Sequence, residues 1–90
     1  MEISWDEVKA EINVKKHGIS FEEAATVLVD PNAETFLDDH TYEDRFLTLG
    51  YSVRQRLLLV VWCERIENTI RIISARKATT HERKRYEERI

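Results

Sequence analysis

Three groups of residues in this chain have the types and spacing that chemistry needs. The first is a polar helix face. Lys9, Asn13, Lys16 and His17 fall within about a quarter of a turn's circumference at roughly 100° per residue. An imidazole beside two cations and an amide can take and give protons near neutral pH, as His17 would here. A plain solvated face is the alternative. The second group closes a strand. "TIRIISAR" alternates, with Arg71, Ile73 and Ala75 expected on one side and Ile70, Ile72, Ser74 and Arg76 on the other. Arg76 and Lys77 then meet the start of a helix near Thr79 and Thr80, where free backbone N–H groups add partial positive charge. That combination suits an anion. The third group is Glu43 with Arg45, an acid and a cation two residues apart on one strand face.

Other chemistries lack support. His17, His40 and His81 have no short ligand spacing, and Cys63 has no cysteine partner, so no metal site is expected. "DDHTYED" offers carboxylates to Mg²⁺ but reads better as a plain acidic loop. There is no glycine-rich phosphate loop and no serine-hydrolase motif.

The elements that must position these groups follow from patterning. Trp5, Val8 and Ile12 recur at helical spacing, which predicts a helix from about Trp5 to His17, capped by Ser4 with Glu7 or by Asp6 and stopped at Gly18. A second helix opens at Ser20 with Glu23, with Ile19 as a hydrophobic staple. It carries Phe21, Ala24, Ala25 and Leu28 on one face and ends at Asp30-Pro31. "AETFLDD", "DRFLTLGYS", "RLLLVVWCER" and "TIRIISAR" read as four strands, with a hairpin turn around Glu67-Asn68. The third is the most apolar, so it should be central. Thr79 with Glu82 opens a last helix. The expected order is α-α-β-β-β-β-α, an α+β domain with a small antiparallel sheet, two N-terminal helices and one C-terminal helix.

Composition bounds the rest. Ninety residues suffice for one domain, 1–90, and 42% hydrophobic with 34% charged residues fits a globular chain rather than a disordered one. No apolar run is long enough to span a bilayer, and "MEISWDEVK" lacks the apolar region of a signal peptide. With a lone Cys63 at the end of an apolar run, a reducing cytoplasm is the expected setting. Charge is segregated. Glu22 to Asp44 holds eight carboxylates and no Lys or Arg, whereas Arg71 to Tyr86 holds six Lys or Arg and one carboxylate, Glu82, in a chain of net charge -3.

Four stretches, "WDEVKAEINVKKHGISFEEAATVLVDP", "EDRFLTLGYS", "RLLLVVWCER" and "IRIISARKATTHERKRYEE", resemble the BrnT toxins in order and over nearly the whole chain. W-D-x-x-K-x-x-x-N-x-x-K-H-G and I-R-I-I-S-A-R-K-A are long, specific motifs. Glu7 stands where that family usually has Pro. The resemblance implies a RelE-like fold and a ribonuclease toxin that inhibits translation by metal-independent RNA cleavage. It implies no cofactor, and neutralisation by a BrnA-like ribbon-helix-helix antitoxin, as two toxins with two antitoxins. DNA would be met only through that antitoxin, and no membrane would be involved. Within that resemblance, Arg76 and Lys77 are expected to hold the scissile phosphate with Arg45 assisting, and His17 or Glu43 to carry protons. Lys9, Asn13, Lys16, Arg71, Arg83 and Tyr86 are expected to contact RNA. A non-catalytic RNA-binding module, or an antitoxin-binding subunit acting only in autorepression, is the alternative.

Overall fold

The computed structural model describes residues 1–39 and 44–89. Its elements run β1 (Glu2–Trp5), α1 (Glu7–His17), α2 (Phe21–Val27), β2 (Glu34–Asp38), β3 (Arg45–Tyr51), β4 (Leu57–Glu64), β5 (Thr69–Lys77) and α3 (Thr80–Arg89). The strands form one sheet in the order β1-β5-β4-β3-β2, with the apolar β4 in the middle as expected. Glu67 and Asn68, in the β4–β5 turn, both take left-handed backbone angles, φ 56° and 61°. That hairpin therefore stands where the sequence placed it.

The N-terminus departs from expectation. "EISW" is a strand, and it pairs parallel with β5 from Glu2 opposite Thr69 to Trp5 opposite Ile72. The sheet is therefore mixed rather than antiparallel. Ser4 does not cap a helix; its hydroxyl donates to the Ile70 carbonyl at 3.2 Å. Asp6 caps α1 instead, its carboxylate accepting from the backbone N–H of Val8 and Lys9 at 2.9 and 3.1 Å. Four residues are too few to show a strand period beside a capping pattern. The far end of α1 is as expected: Gly18, at φ 71°, donates its N–H to the Val14 carbonyl.

The face of α1 that packs is also unexpected. Val8 and Ile12 are 65% and 56% exposed, whereas Asn13 is only 5% exposed. The Asn13 side-chain amide explains this. Its Nδ2 donates to the carbonyls of Ile19 and Ala75, both at 2.9 Å, and its Oδ1 accepts from the Ala75 N–H at 3.1 Å. The amide matches a backbone donor–acceptor pair on β5 at the point where β1 has already ended.

The sheet separates two cores. On one side Leu58, Val60, Ile72 and Ala75 pack against Ile19, Phe21, Ala24 and Val27 of the α1–α2 layer. On the other side Leu49, Leu57 and Leu59 pack against Tyr86, the one buried side chain of α3. In the β4–β5 register Val61 faces Ser74 while Trp62 faces Ile72, so Ile73 is an extra residue. This bulge resets the alternation. Arg71 stands opposite Cys63 and Arg76 opposite Leu59, both on the odd-numbered face of β4. Arg71 and Arg76 thus share a face, not opposite ones as simple alternation implied. Ala75 stands opposite Val60, on the face with Ile72.

Gly50 lets α2 approach. A Cβ there would lie 3.0 Å from the Ala33 Cβ and the Asp30 Oδ2, and 3.2 Å from the Val27 Cγ1. Asp30 is the hub of that corner, accepting from the Tyr51 N–H at 2.8 Å and the Tyr86 hydroxyl at 2.7 Å.

Replacing Asn13 with Ala leaves the Ala75 N–H and two carbonyls without these partners in a buried place, which costs about 1–3 kcal/mol for each group left unsatisfied. Urea unfolding of Asn13→Ala is expected to show a clearly lowered midpoint with an unchanged slope. A wild-type midpoint would contradict the anchoring role. A second expectation concerns acid. Glu23 is 5% exposed and takes both an ion pair and a hydrogen bond from Arg56, with the Ser52 hydroxyl donating at 2.7 Å. The hydrogen bonds from Arg56 lower its pKa below the ordinary 4.5, against the opposing effect of burial. A depressed carboxylate stabilises the fold above its unfolded value and loses that contribution as pH falls through its folded value. Stability should hold from neutral pH down to about pH 5, then drop. Glu23→Gln should flatten the drop, as measured by urea midpoints from pH 3 to 7.

Candidate functional site: a cationic cleft at the end of the sheet

Register builds the site. Asp38 stands opposite Arg45, Arg45 opposite Cys63, and Cys63 opposite Arg71, so these four occupy one row across one face of the sheet. α3 covers that face only at its other end, over Leu49, Leu57 and Leu59. The exposed end opens into a cleft of about 130 Å³ lined by Asp6, Lys9, Arg45, Arg65 and Arg71, with Cys63 in its wall. α1 brings Asp6 and Lys9, β3 brings Arg45, β5 brings Arg71, and the chain leaving β4 brings Arg65.

Four cations and one carboxylate in so small a space repel one another. An arrangement of that kind is suited to an anion with several oxygens, such as a phosphodiester. Asp6 stays ionised beside it. The Lys9 N–H lowers its pKa most, burial opposes, and the Val8 N–H and the charge of Arg71 add to the lowering. Among the described residues no group of three or more His, Cys, Asp or Glu comes together as a metal site would need.

The strand–helix junction is built differently. The Arg76 guanidinium meets the Glu82 carboxylate at two points, 2.8 and 2.9 Å, and also reaches the Lys77 carbonyl. Glu82 in turn accepts from the Thr79 N–H while its own N–H donates to the Thr79 hydroxyl, so the expected capping box is complete. The Arg76 hydrogen bonds hold the Glu82 carboxyl below its ordinary value, despite partial burial. Arg76 therefore closes the start of α3 and its charge is balanced. Lys77 is exposed and lines a separate cleft with Arg56 and Arg83.

The two ends do not meet. Lys77 pairs with Leu58 and Arg71 with Cys63, five residues apart on β4, or roughly 17 Å. Arg45, beside Cys63, cannot assist Arg76 and Lys77 at one phosphate. The structure instead groups Arg45 with Lys9 and Arg71. On α1, Lys16 is exposed and His17 half-buried. His17 is eight residues beyond Lys9, about 12 Å along the helix, and its neighbour Gly18 accepts a hydrogen bond from Arg56. It therefore belongs with the Lys77 end. Asn13 is committed to Ala75 and does not face solvent. Tyr86, 2% exposed, is likewise unsuited to touch RNA: its hydroxyl donates to Asp30, and its ring meets Tyr51 edge-on at 5.3 Å. Burial first, and then Asp30, push its pKa up to about 12. Arg83 is exposed and donates to the Tyr51 hydroxyl at 3.1 Å. Glu43 lies outside the described residues.

Arg65 and Asp6 were not singled out from the sequence. Arg65 directly follows β4 and reads as strand-end polarity, while Asp6 reads as a cap alone. Only the fold brings them to Arg71.

The family model described as the ribonuclease toxin BrnT of type II toxin-antitoxin systems matches residues 5–82. The chain belongs to the BrnT family. The crystal structure of the Brucella abortus ribonuclease toxin BrnT is similar over 89% of this chain and 99% of that one, with a TM-score of 0.72 and 27% sequence identity. No curated protein matches the chain. A type II system pairs such a toxin with a protein antitoxin and sets it against RNA, so this BrnT-family chain is a ribonuclease toxin with both relationships. No helix among the described residues is long and apolar enough to cross a membrane.

If Arg76 serves α3 and not the phosphate, its partner should matter as much as it does. Arg76→Ala and Glu82→Ala are each expected to destabilise modestly, and the pair should couple by about 1 kcal/mol. A double-mutant cycle by urea unfolding measures this. Strict additivity would release Arg76 from the structural role.

Proposed function

We propose that this BrnT-family protein cleaves RNA without a metal ion, and that the cleft of Lys9, Arg45, Arg65 and Arg71 is where it does so. The single observation that carries this is the convergence of four cations from four parts of the chain on one small cleft. In-line attack of a ribose 2′-oxygen passes through a phosphorane-like transition state richer in negative charge than the substrate. Fixed cations around that charge stabilise it more than they stabilise the bound RNA. Arg45, Arg65 and Arg71 are assigned to the phosphate oxygens, the fork of each guanidinium suiting two oxygens at once. Lys9 is assigned to the leaving 5′-oxygen. Glu43, two residues before Arg45 in the chain, is the proposed base for the 2′-hydroxyl. His17 is the weaker choice, because α1 carries it away from this cleft. Lys16, Lys77 and Arg83 are left to RNA binding beyond the reacting phosphate.

Cleaving RNA in this way inhibits translation in the cytoplasm, in one domain spanning residues 1–90 of RelE-like type. The antitoxin is a BrnA-like ribbon-helix-helix protein, two copies holding two toxins, and contact with DNA runs through it. The family relationship and the cationic cleft support this reading, and the acidic overall charge suits a toxin held by a partner.

Single-turnover RNA cleavage in EDTA, at saturating protein, tests it. The wild type is expected to cut and leave a 2′,3′-cyclic phosphate or its 3′-phosphate product. Arg71→Ala and Arg45→Ala are each expected to slow the cut about 10²-fold or more, as loss of a preorganised transition-state donor does. Activity that disappears in EDTA and returns with Mg²⁺ would sink the metal-free chemistry. RNA binding without any cut product would leave a binding module in its place.

A further inference from the structure

The Lys77 end of the sheet holds a second cationic cleft that the proposed cleavage chemistry does not use. Its volume is about 270 Å³, and Lys77, Arg83, Arg56 and Gln55 line it. The charge of Arg56 is balanced by the buried Glu23. Lys77 and Arg83 have no carboxylate partner among the described residues, and the hydrogen bond from Arg83 goes to a neutral phenol, the Tyr51 hydroxyl. Two net positive charges therefore remain in that cleft.

Between the two clefts runs β5. The bulge at Ile73 places Ser74 and Arg76 on the same face as Arg71, and both are half-buried. Arg76 is cancelled by Glu82, so this middle section is polar but nearly neutral. The pattern is cationic, neutral, cationic over roughly 17 Å, the span from Cys63 to Leu58 on the neighbouring strand. One phosphate cannot fill both ends. A single strand laid along β5, on the order of three nucleotides, puts one phosphate in each.

We propose that the Lys77–Arg83 cleft is a distal phosphate subsite, and that the RNA substrate lies along β5 as a single strand between it and the Arg71 cleft. This rests on the cleavage-site reading given above. The distal subsite reads no bases. It selects for length and for an unpaired, extended backbone, because its contacts are to phosphate and its position is fixed by the strand.

The test is binding of RNA that cannot react. Fluorescence anisotropy with 2′-O-methyl oligonucleotides of two and six nucleotides compares the wild type with Lys77→Ala/Arg83→Ala, Arg71→Ala and, as a control on the outer part of α3, Lys84→Ala. Circular dichroism confirms folding of each. The Lys77→Ala/Arg83→Ala variant is expected to lose about tenfold in affinity for the hexamer and far less for the dimer. Its log–log salt dependence should be shallower by about 1.4, the single-strand value for two phosphates released. Arg71→Ala should weaken both lengths. Wild-type affinity of the Lys77→Ala/Arg83→Ala variant for the hexamer overturns the proposal, and so does an equal loss at both lengths. If that variant instead loses affinity only for the antitoxin, the cleft is a protein contact and the proposal is wrong. If Arg71→Ala binds both lengths as the wild type does, it is the cleavage-site reading that fails.

Discussion

The pairing of the Asn13 amide with Ala75 is the constraint on which the rest of the structure depends. β1 covers the edge of β5 only from Thr69 to Ile72. Beyond that, β5 would expose an unpaired N–H and carbonyl in the interior, which proteins avoid. Asn13 supplies both partners from a helix, standing in for the strand that β1 does not continue. The consequence is geometric. α1 is laid alongside β5, and its two ends are assigned to opposite ends of the sheet. Lys9 and Asp6 go to the Arg71 cleft, and His17 goes toward Lys77. The same Asn13 also holds the Ile19 carbonyl, so the entry to α2 and the first core are set by one side chain.

The segregated charge of the sequence has a structural use before any functional one. Acidic and basic poles meet across the fold. Glu34 receives the Arg85 guanidinium at 2.6 and 2.8 Å, and the Asp30 carboxylate holds the Tyr86 hydroxyl. Together with Arg76 and Glu82 these contacts dock α3, a helix with a single buried side chain and little apolar surface of its own. Hydrogen bonds from Arg85 lower the Glu34 pKa further than burial raises it, and from Tyr51, Tyr86 and Asn32 N–H or O–H groups do the same for Asp30 against its stronger burial effect. What reads as a basic tail is thus largely neutralised. The cations that remain available to RNA are those at the ends of strands and at the start of α1.

Much of this was legible in the sequence, for physical reasons. β4 is central because a continuous apolar run can only be buried on both faces. The Glu67-Asn68 turn and the Thr79–Glu82 box are local signals, decided within four residues, and both are present. The family resemblance rested on motifs that carry the site residues themselves. The failures are all non-local. A four-residue strand such as β1 has no readable period. A bulge cannot be seen in one strand alone, and at Ile73 it moved Arg76 to the face of Arg71. Asn13 looked like a surface amide because its partner is 62 residues away in the chain. Arg76 looked available because the carboxylate that neutralises it, Glu82, read only as a cap.

The central claim is that RNA meets the protein first at the cleft between α1 and the ends of β3, β4 and β5. NMR of arginine side-chain Nε–Hε groups, titrated with a non-cleavable 2′-O-methyl oligonucleotide, tests it most directly. The account expects the largest shifts at Arg45, Arg65 and Arg71, with Arg76 and Arg85 held near their free positions by Glu82 and Glu34. Shifts confined to Arg76 and the arginines of α3, with Arg45, Arg65 and Arg71 unmoved, would contradict it.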